Sequence, residues 1–276
     1  MWTGGVMGGE PGWGPPRVDV RRANVARVYD YLLGGSHNFL ADQDLGRSLA
    51  ATDPSVRAIA RANRDFLGRA VRFLTDAGVG QFLDIGSGIP TQGNVHEVAQ
   101  QASPDCRVVY ADIDPVAIAH SKALLAGNEN TAIIDADLHQ PEEILAHAGT
   151  RRLIDFSQPA GLLLVSVLPF ISDAADPWRI VATLRDALAP GSYLVLAHAT
   201  DASRPVVAQA AEKVYNSSVS AQAQMRSHEE ILRFFDGFEL VDPGLVYVPL
   251  WRPDPGADVS DDPGKFWILA GAGRKP

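Results

Sequence analysis

Short apolar runs alternate with helical runs from Gln81 onward, and this alternation limits the fold more than any other feature of the sequence. Helix starts are marked by Asp114-Pro115 and Asp176-Pro177, where an N-cap residue precedes a proline. Strands that alternate with helices pair in parallel, because each helix crosses over a face of the sheet. We therefore predict an α/β fold with a doubly wound sheet. The predicted parallel strands are Gln81–Asp84, Arg107–Ala111, Ala132–Asp135, Gly161–Val165 and Tyr193–Ala199.

The pattern changes near the C-terminus. Ser227 and Glu230 have the spacing of a capping box, which predicts a helix running to Asp236-Gly237. Two strand-like runs follow, Glu239–Trp251 and Lys265–Ala270, with no helix between them. Consecutive strands without a crossover pair antiparallel. We predict a seven-stranded sheet that ends in an antiparallel hairpin.

The residues before the sheet predict a helical extension. Val25–Leu33 reads as a helix ending at Gly34-Gly35, and a loop is expected over Gly34–Asp44. A longer amphipathic helix is predicted to start with Asp53 as its N-cap. The residues expected on its buried face are Val56, Ile59, Ala60, Asn63, Phe66, Leu67, Ala70, Val71 and Leu74.

These patterns divide the chain into three parts. Residues 1–16 are rich in Gly and Pro and are expected to be a mobile tail. Residues 17–80 form the helical extension, which we interpret as a lid, and residues 81–276 form the sheet domain.

Composition excludes several classes of function. The net charge of −9 argues against a nucleic-acid partner, although residues 17–72 hold ten Arg and six Asp and so carry a net charge of +4. Cys106 is the only cysteine, and the seven His residues show no metal-binding spacing, so neither a disulfide nor a metal site is expected. The longest apolar stretch, Ala160–Ile171, is interrupted and too short to span a bilayer. With no secretory signal in the opening residues, a cytoplasmic location is expected.

Glycines and carboxylates follow three successive predicted strands. Gly86 and Gly88 follow the first strand after Asp84, Asp112 ends the second, and Asp137 follows the third. The carboxyl ends of parallel strands form the ligand-binding edge of such a sheet. There, Asp112 could accept hydrogen bonds from a ribose, and Asp137 could accept one from an exocyclic amine. Packing turns for the glycines, and capping or turn roles for the acids, are the alternatives.

The same residues resemble the motifs of class I S-adenosylmethionine-dependent methyltransferases. The resemblance is closest to a bacterial methyltransferase family formerly catalogued as a domain of unknown function. The motifs that carry it are Val28-Tyr29-Asp30-Tyr31-Leu32-Leu33-Gly34-Gly35, Asn38-Phe39, Arg61-Ala62-Asn63-Arg64-Asp65-Phe66-Leu67, Asp84-Ile85-Gly86-Ser87-Gly88-Ile89-Pro90-Thr91 and Pro190-Gly191-Ser192-Tyr193-Leu194-Val195.

The resemblance implies a Rossmann-like sheet and S-adenosyl-L-methionine as the cofactor. Gly86 and Gly88 would line the methionine moiety, Asp112 would hold the ribose, and the Leu138 N–H would assist Asp137 at the adenine. Asp84 would organise the glycine loop near the cofactor. The implied cofactor-binding residues are Asp84, Gly86, Gly88, Asp112, Ile113, Asp137, Leu138 and Ser166.

The acceptor side is less specific. Leu168-Pro169-Phe170 partly matches the motif of enzymes that methylate bases, but Val167 stands where that motif has Asn or Asp. An unidentified small-molecule acceptor is therefore expected. His37 and His198 are candidates for a general base, and packing roles for both remain open. Lid residues that could line the pocket are Tyr29, Asn38 and Phe39.

Two other interpretations remain. One is a catalytically silent regulatory protein that keeps the S-adenosylmethionine site, because a fold does not by itself establish catalysis. The other is an NAD(P)-dependent oxidoreductase, which is disfavoured because Thr91 replaces the third glycine of the dinucleotide fingerprint. The sequence leaves the oligomeric state open.

Overall fold

The computed structural model describes residues 18–90, 93–219, 222–257 and 259–276. The predicted tail, residues 1–16, and Thr91 lie outside these ranges. Three helices precede the sheet: α1 (Val25–Leu33), α2 (Leu40–Thr52) and α3 (Val56–Asp76). All nine predicted residues of the buried face of α3 are buried.

Strands and helices then alternate as predicted. The strands are β1 (Gln81–Ile85), β2 (Arg107–Asp112), β3 (Thr131–Asp135), β4 (Gly161–Val165) and β5 (Tyr193–Ala199). The intervening helices are α4 (Val95–Ala102), α5 (Pro115–Leu124), α6 (Pro141–Ala146), α7 (Ala148–Leu153) and α8 (Pro177–Ala187). Asp114 caps α5 and Asp176 caps α8, each followed by proline.

The C-terminal part contains α9 (Pro205–Asn216), α10 (His228–Leu232), β6 (Glu239–Leu240), β7 (Val246–Tyr247) and β8 (Ile268–Arg274). The sheet order is β3-β2-β1-β4-β5-β8-β6, and β7 also pairs with β8. Strands β1 to β5 pair in parallel, whereas β8 pairs antiparallel with β5, β6 and β7. The predicted α/β sheet with an antiparallel end is confirmed.

The last position of the sheet differs in detail from the prediction. The single strand expected over Glu239–Trp251 is split into β6 and β7, which pair with opposite ends of β8. Pro243 and Gly244 lie between them, and Gly244 has a φ of 87°. Proline cannot donate to a sheet ladder, and the left-handed glycine turns the chain, so the strand is interrupted there.

Apolar side chains cover both faces of the sheet. On one face, Phe66 and Leu74 of α3 pack with Phe82 and Val108 of the sheet and with Trp251. The opposite face packs against α6, α8 and the segment that follows α10. Helix α3 is therefore part of the layer that covers the sheet, and α1 and α2 pack outside it with α9.

Two local predictions in the extension were wrong. The loop expected over Gly34–Asp44 ends at Phe39, because α2 begins at Leu40. Asp53 does not cap α3, which begins at Val56. The Asp53 carboxylate instead accepts hydrogen bonds from the Ser55 N–H at 2.8 Å and the Trp267 indole at 2.9 Å. That second bond joins residues 214 positions apart, so no local pattern could indicate it.

Among helices in the described ranges, none has the length and hydropathy needed to cross a bilayer.

Candidate active site

The loop that follows β1 depends on two glycines with positive φ. Gly86 has a φ of 72°, and a Cβ there would lie 2.3 Å from the Val167 side chain. Gly88 has a φ of 69°, and a Cβ there would meet nothing within 4 Å. Gly86 therefore lets the loop pack against Val167, whereas Gly88 supplies a left-handed turn beside open space. That open space is where a ligand could approach the backbone.

Asp112 holds this loop to the end of β2. Its carboxylate accepts hydrogen bonds from the N–H groups of Gly88 at 2.7 Å, Ile113 at 2.8 Å and Asp114 at 2.9 Å. Burial raises the pKa of the Asp112 carboxyl, and these hydrogen bonds oppose the rise. Only 7% of the Asp112 surface is exposed. Its strand-end position is as predicted, but it also supports the backbone.

Asp84 lies beneath the same loop and is also buried. Burial raises the pKa of its carboxyl to about 7; Arg64 opposes this rise and Asp112 adds to it. Arg64 also donates a hydrogen bond to the Asn94 side-chain oxygen at 3.0 Å. A charge in this position is costly, so Asp84 gains and loses its proton near neutral pH.

The next strand end supplies a third wall. Asp137 accepts hydrogen bonds from the N–H of His139 at 2.9 Å and from its ring nitrogen Nδ1 at 2.7 Å. Leu138 is buried beside it, whereas Ile113 is 63% exposed. Ile113 and Leu138 line the same cavity, and their apolar side chains could pack against the two faces of a flat ligand.

One cavity of about 390 Å³ joins these residues to the N-terminal extension. Its volume falls in the range of small-molecule sites. All eight predicted cofactor-binding residues line it: Asp84, Gly86, Gly88, Asp112, Ile113, Asp137, Leu138 and Ser166. Tyr29 lines it too, whereas Asn38, Phe39, His37 and His198 are outside its lining.

His198 is buried away from the cavity. Its Nδ1 lies 2.7 Å from the Ala199 carbonyl oxygen, and its Nε2 lies 2.7 Å from the Arg226 guanidinium. A guanidinium can only donate, so Nε2 accepts and Nδ1 carries the proton. Burial lowers the pKa of His198 to about 3. This ring has no free lone pair with which to act as a base.

The loop after α1 is occupied with its own packing. The His37 ring lies 3.7 Å from the His120 ring, measured between centroids. The side-chain amide of Asn38 donates to Asp30 at 2.7 Å, and Phe39 packs against Ile89. These contacts dock the loop on the sheet domain, and the cavity is reached instead by α1 and by Leu49 of α2.

Sequence reasoning missed a polar chain that crosses the cavity wall. The Tyr29 hydroxyl donates to the Ala60 carbonyl and accepts from the Asn63 amide, both at 3.0 Å. The Ser166 hydroxyl donates to the side-chain oxygen Oδ1 of Asn63 at 3.2 Å. Asn63 thereby links the extension to the end of β4. A signal was present, because Asn63 is a polar residue on the predicted apolar face of α3.

The sequence analysis also assigned no element to residues 200–226. This segment contains α9, and it contributes Ala211, Glu212, Tyr215, Gln224 and Met225 to the cavity. The side chain of Asn216 and the backbone of Ala223 exchange hydrogen bonds at 2.6 and 3.0 Å. These contacts hold together the segment that carries the lining residues Gln224 and Met225.

The residues present fit an adenosyl cofactor. The Ser87 hydroxyl is buried on the cavity wall and has no hydrogen-bond partner within the described ranges. Buried polar atoms are normally satisfied, so a polar ligand is expected to complete this one. A parallel sheet with one inserted antiparallel strand, and such a site at its carboxyl edge, defines the class of Rossmann-like cofactor-dependent methyltransferases.

Comparison with known proteins identifies the family. The model of a family described as S-adenosyl methyltransferase matches residues 11–276, and the chain belongs to this family. It is therefore an enzyme that uses S-adenosylmethionine. Among the methyltransferase, regulatory and oxidoreductase interpretations, the family supports the first.

Two solved structures are similar over nearly the whole chain. A candidate methyltransferase from Thermobifida fusca YX is 47% identical, with a TM-score of 0.90 over 95% of this chain and 98% of that one. A DUF574 family protein from Streptomyces avermitilis MA-4680 is 36% identical, with a TM-score of 0.90 over 94% of this chain and all of that one (100%). None of the curated proteins searched matched the chain.

A more distant structure shows the fold alone. The N-methyltransferase NodS from Bradyrhizobium japonicum WM9, in complex with S-adenosyl-L-homocysteine, is 18% identical. The TM-score is 0.50, and the match covers 85% of this chain and 97% of NodS. The Rossmann-like methyltransferase fold predicted from the motifs is thus confirmed.

Proposed function

We propose that this methyltransferase acts on a small-molecule acceptor, and that cofactor and acceptor occupy the two ends of the one cavity. The observation that carries the proposal is the continuity of the lining. The same cavity touches the glycine loop, the ends of β2 and β3, helix α1 and helix α9. A reacting pair held in one enclosed site needs no further domain to bring it together.

The cofactor end is formed by the strand ends. Gly86 and Gly88 would admit the methionine part to the loop backbone. Each Asp112 oxygen already accepts at least one backbone N–H but keeps further acceptor capacity for the ribose hydroxyls. Ile113 and Leu138 would cover the adenine ring, with Asp137 near its amine. Ser166 would lie near the junction with the acceptor, since it bonds to Asn63.

The acceptor end favours a small molecule over a nucleic acid. Within the described ranges, the basic residues on the cavity wall are Arg64 and His139, and both are at the cofactor end. Nucleic-acid binding draws its affinity from several such cations. The net charge of −9 opposes it further. A base acceptor would also need a polar group at Val167, which is apolar.

Chemistry in this cavity relies on placement. S-adenosylmethionine, when bound, would supply an electrophilic methyl carbon: an acceptor lone pair would attack that carbon as the C–S bond breaks, and S-adenosylhomocysteine would leave, with no covalent enzyme intermediate. The protein's part is to hold both molecules in line and to exclude water. Hydrogen bonds hold Tyr29, Asn63 and Ser166 in place as fixed polar groups on the cavity wall. His37 and His198 lie outside that wall.

The proposal also revises the division of the chain. Helix α3 belongs to the layer that covers the sheet, because its Phe66 and Leu74 are fully buried in that core. We therefore place the lid at α1 and α2, residues 25–52, and keep α3 with the sheet domain. A chain starting near Gly78 would lose the α3 side chains from the core on one face of the sheet.

Two measurements test the function in order. Isothermal titration of the full-length protein should show binding of S-adenosylmethionine and S-adenosylhomocysteine but not of NAD. Tight NAD binding with no heat from S-adenosylmethionine would contradict the cofactor assignment. The protein is then incubated with methyl-tritiated S-adenosylmethionine and a fractionated cell extract. We expect label in a low-molecular-weight product that is separated from S-adenosylmethionine itself. Transferred label confined to protein or nucleic acid would contradict a small-molecule acceptor.

A further inference from the structure

The acceptor end of the cavity is rich in aromatic side chains. Tyr29, Phe170, Tyr215 and Trp267 line it, together with Met225 and one acidic residue, Glu212. We call the part of the cavity lined by these six residues the acceptor chamber. Its residues come from α1, α9, the loop after β4, the segment after α9 and the residue before β8.

The walls of the acceptor chamber are held by specific contacts. The rings of Phe170 and Tyr215 lie 5.5 Å apart between centroids. The Gln224 N–H donates to the Pro169 carbonyl oxygen at 2.7 Å, which fixes the segment carrying Met225 to the loop after β4. The Trp267 indole is held by Asp53. These contacts make the chamber a preformed shape, as binding sites for small molecules usually are.

Charge is distributed unevenly around this shape. Glu212 is half-buried, and the Met225 backbone N–H lies close enough to its carboxylate to oppose the rise in its pKa. Asp201 adds a second negative charge near it, and burial together with Asp201 raises the pKa of the Glu212 carboxyl. Within the described ranges, the six chamber residues include no Lys or Arg to neutralise Glu212.

We propose that the acceptor molecule is an apolar amine with an aromatic-sized body, and that Glu212 binds its ammonium group, which has no lone pair and therefore anchors the molecule while another of its atoms receives the methyl group. This inference rests on the proposed function, since it concerns the same cavity. An apolar chamber favours the body of such a ligand through burial of hydrocarbon surface. A partly desolvated carboxylate favours a cation and disfavours an anion, because opposite charges attract more strongly away from water.

The aromatic rings add to the same preference. An ammonium near the face of Phe170 or Tyr215 gains a cation–π attraction that neither an alcohol nor a carboxylate can make. An acidic acceptor would meet Glu212, Asp201 and a net charge of −9. Glu212 is assigned here as a specificity-determining residue that anchors the ammonium, and no proton transfer is attributed to it.

The test uses three probes that share one naphthalene body: 1-naphthylmethylamine, 1-naphthalenemethanol and 1-naphthoate. Each is titrated into the full-length protein saturated with S-adenosylhomocysteine. We expect the amine to bind at least about tenfold more tightly than the carboxylate, with the alcohol between them. In Glu212→Gln, which keeps an oxygen for the Met225 N–H, the amine should fall to within about threefold of the alcohol. The exposed Glu229, changed to Gln, is the matched control and should leave the order intact.

The outcomes separate this inference from the proposed function. Failure of the protein to bind S-adenosylhomocysteine would contradict the cofactor assignment. Normal binding of S-adenosylhomocysteine, with a carboxylate probe as tight as the amine, would overturn the amine assignment alone. The same conclusion would follow if Glu212→Gln kept the preference for the amine, or if none of the three probes bound.

Discussion

At the scale of single residues, the carboxylates at the sheet edge differ in what surrounds them. Asp112 is buried but accepts three backbone N–H groups, whereas Asp137 is partly exposed and pairs with His139. Asp84 is buried with a charge that Arg64 only partly offsets. Similar side chains at successive strand ends therefore have different surroundings and different structural roles.

The first residue-scale prediction concerns Asp112. Asp112→Asn should lower the affinity for S-adenosylhomocysteine at least about tenfold, because each charge-assisted hydrogen bond contributes about 1.5–3 kcal/mol. Asparagine keeps the shape and one acceptor oxygen, so the glycine loop loses less support than it would with alanine. Titration calorimetry measures the change, and circular dichroism checks that the variant is folded. The exposed Asp236, changed to Asn, should bind as the parent does. An unchanged dissociation constant in folded Asp112→Asn would show that this carboxylate does not hold the ribose.

The second concerns pH and Asp84. The pKa of this carboxyl is raised from an unfolded value near 3.8 to about 7, so the folded ligand-free protein binds a proton that the unfolded chain releases. Its contribution to stability is complete below about pH 4 and is lost as the pH rises toward 7. Asp84→Asn should remove this loss, which amounts to up to about 4 kcal/mol across that range. Urea unfolding at several pH values measures the slope. The exposed Asp105, changed to Asn, is the control and should match the parent. If the free energy of unfolding changes equally with pH in the parent and in Asp84→Asn from pH 4 to 7, the raised pKa of Asp84 is contradicted.

At the scale of elements, a buried arginine joins the lid to the sheet domain. The Arg27 Nε of α1 lies 3.6 Å from an Asp42 oxygen in α2 and 3.9 Å from an Asp114 oxygen at the start of α5. Its terminal nitrogens donate to the carbonyl groups of Asp19 and Arg22. Asp114 is also the N-cap of α5, so the Arg27 side chain connects the lid to the helix that follows Asp112. Packing of α1 and the shape of the cofactor end are thereby coupled.

This contact gives a prediction about stability. Arg27→Met should lower the free energy of unfolding by about 3–5 kcal/mol, because it leaves the buried Asp42 without its cation. Arg21, whose side chain is 91% exposed, should tolerate the same change within about 0.5 kcal/mol. Urea titration of both variants measures the difference. Equal stability of the two would mean that Asp42 is satisfied by the N–H groups of Asn24 and Phe39 alone.

At the scale of the whole molecule, the cavity lies where the lid, α3, α9 and the sheet edge meet. Residues from distant parts of the chain line it, and the lid residues pack with residues of α3 and α9 in a cluster that is smaller than those of the sheet. Such a small cluster is expected to open more readily than the sheet core, which has far more buried contacts. We therefore expect ligand entry through movement of α1 and α2.

Hydrogen exchange tests that behaviour. Adding S-adenosylhomocysteine should slow amide exchange in α1 and in residues 34–39, as well as in the glycine loop, because the bound ligand favours the closed lid. Strand β4, in the centre of the sheet, should exchange slowly in both states and serves as the internal control. Slowing confined to the glycine loop would show that the lid does not respond to the cofactor.

Local and periodic features of the sequence were sufficient for the sheet and the buried face of α3, and with the family motifs they named eight candidate residues that the structure brings to one cavity. The eight proposed cofactor-binding residues meet because the carboxyl ends of parallel strands share one edge, so a correct strand assignment places them together. The alternation of strands with helices and the 3.6-residue hydrophobic period of a helix are visible in short windows of sequence, so they can be recognised without knowledge of distant contacts.

Only the tertiary structure decided the rest. The environment of His198 is set by Arg226, the Asp53 contact by Trp267, and the acceptor chamber by α9 meeting α1. Whether a polar side chain is free or engaged depends on partners tens to hundreds of residues away, which no local period encodes. The motifs therefore determined the class of cofactor, whereas the packing of the lid and α9 decided the shape and charge of the space left for the acceptor.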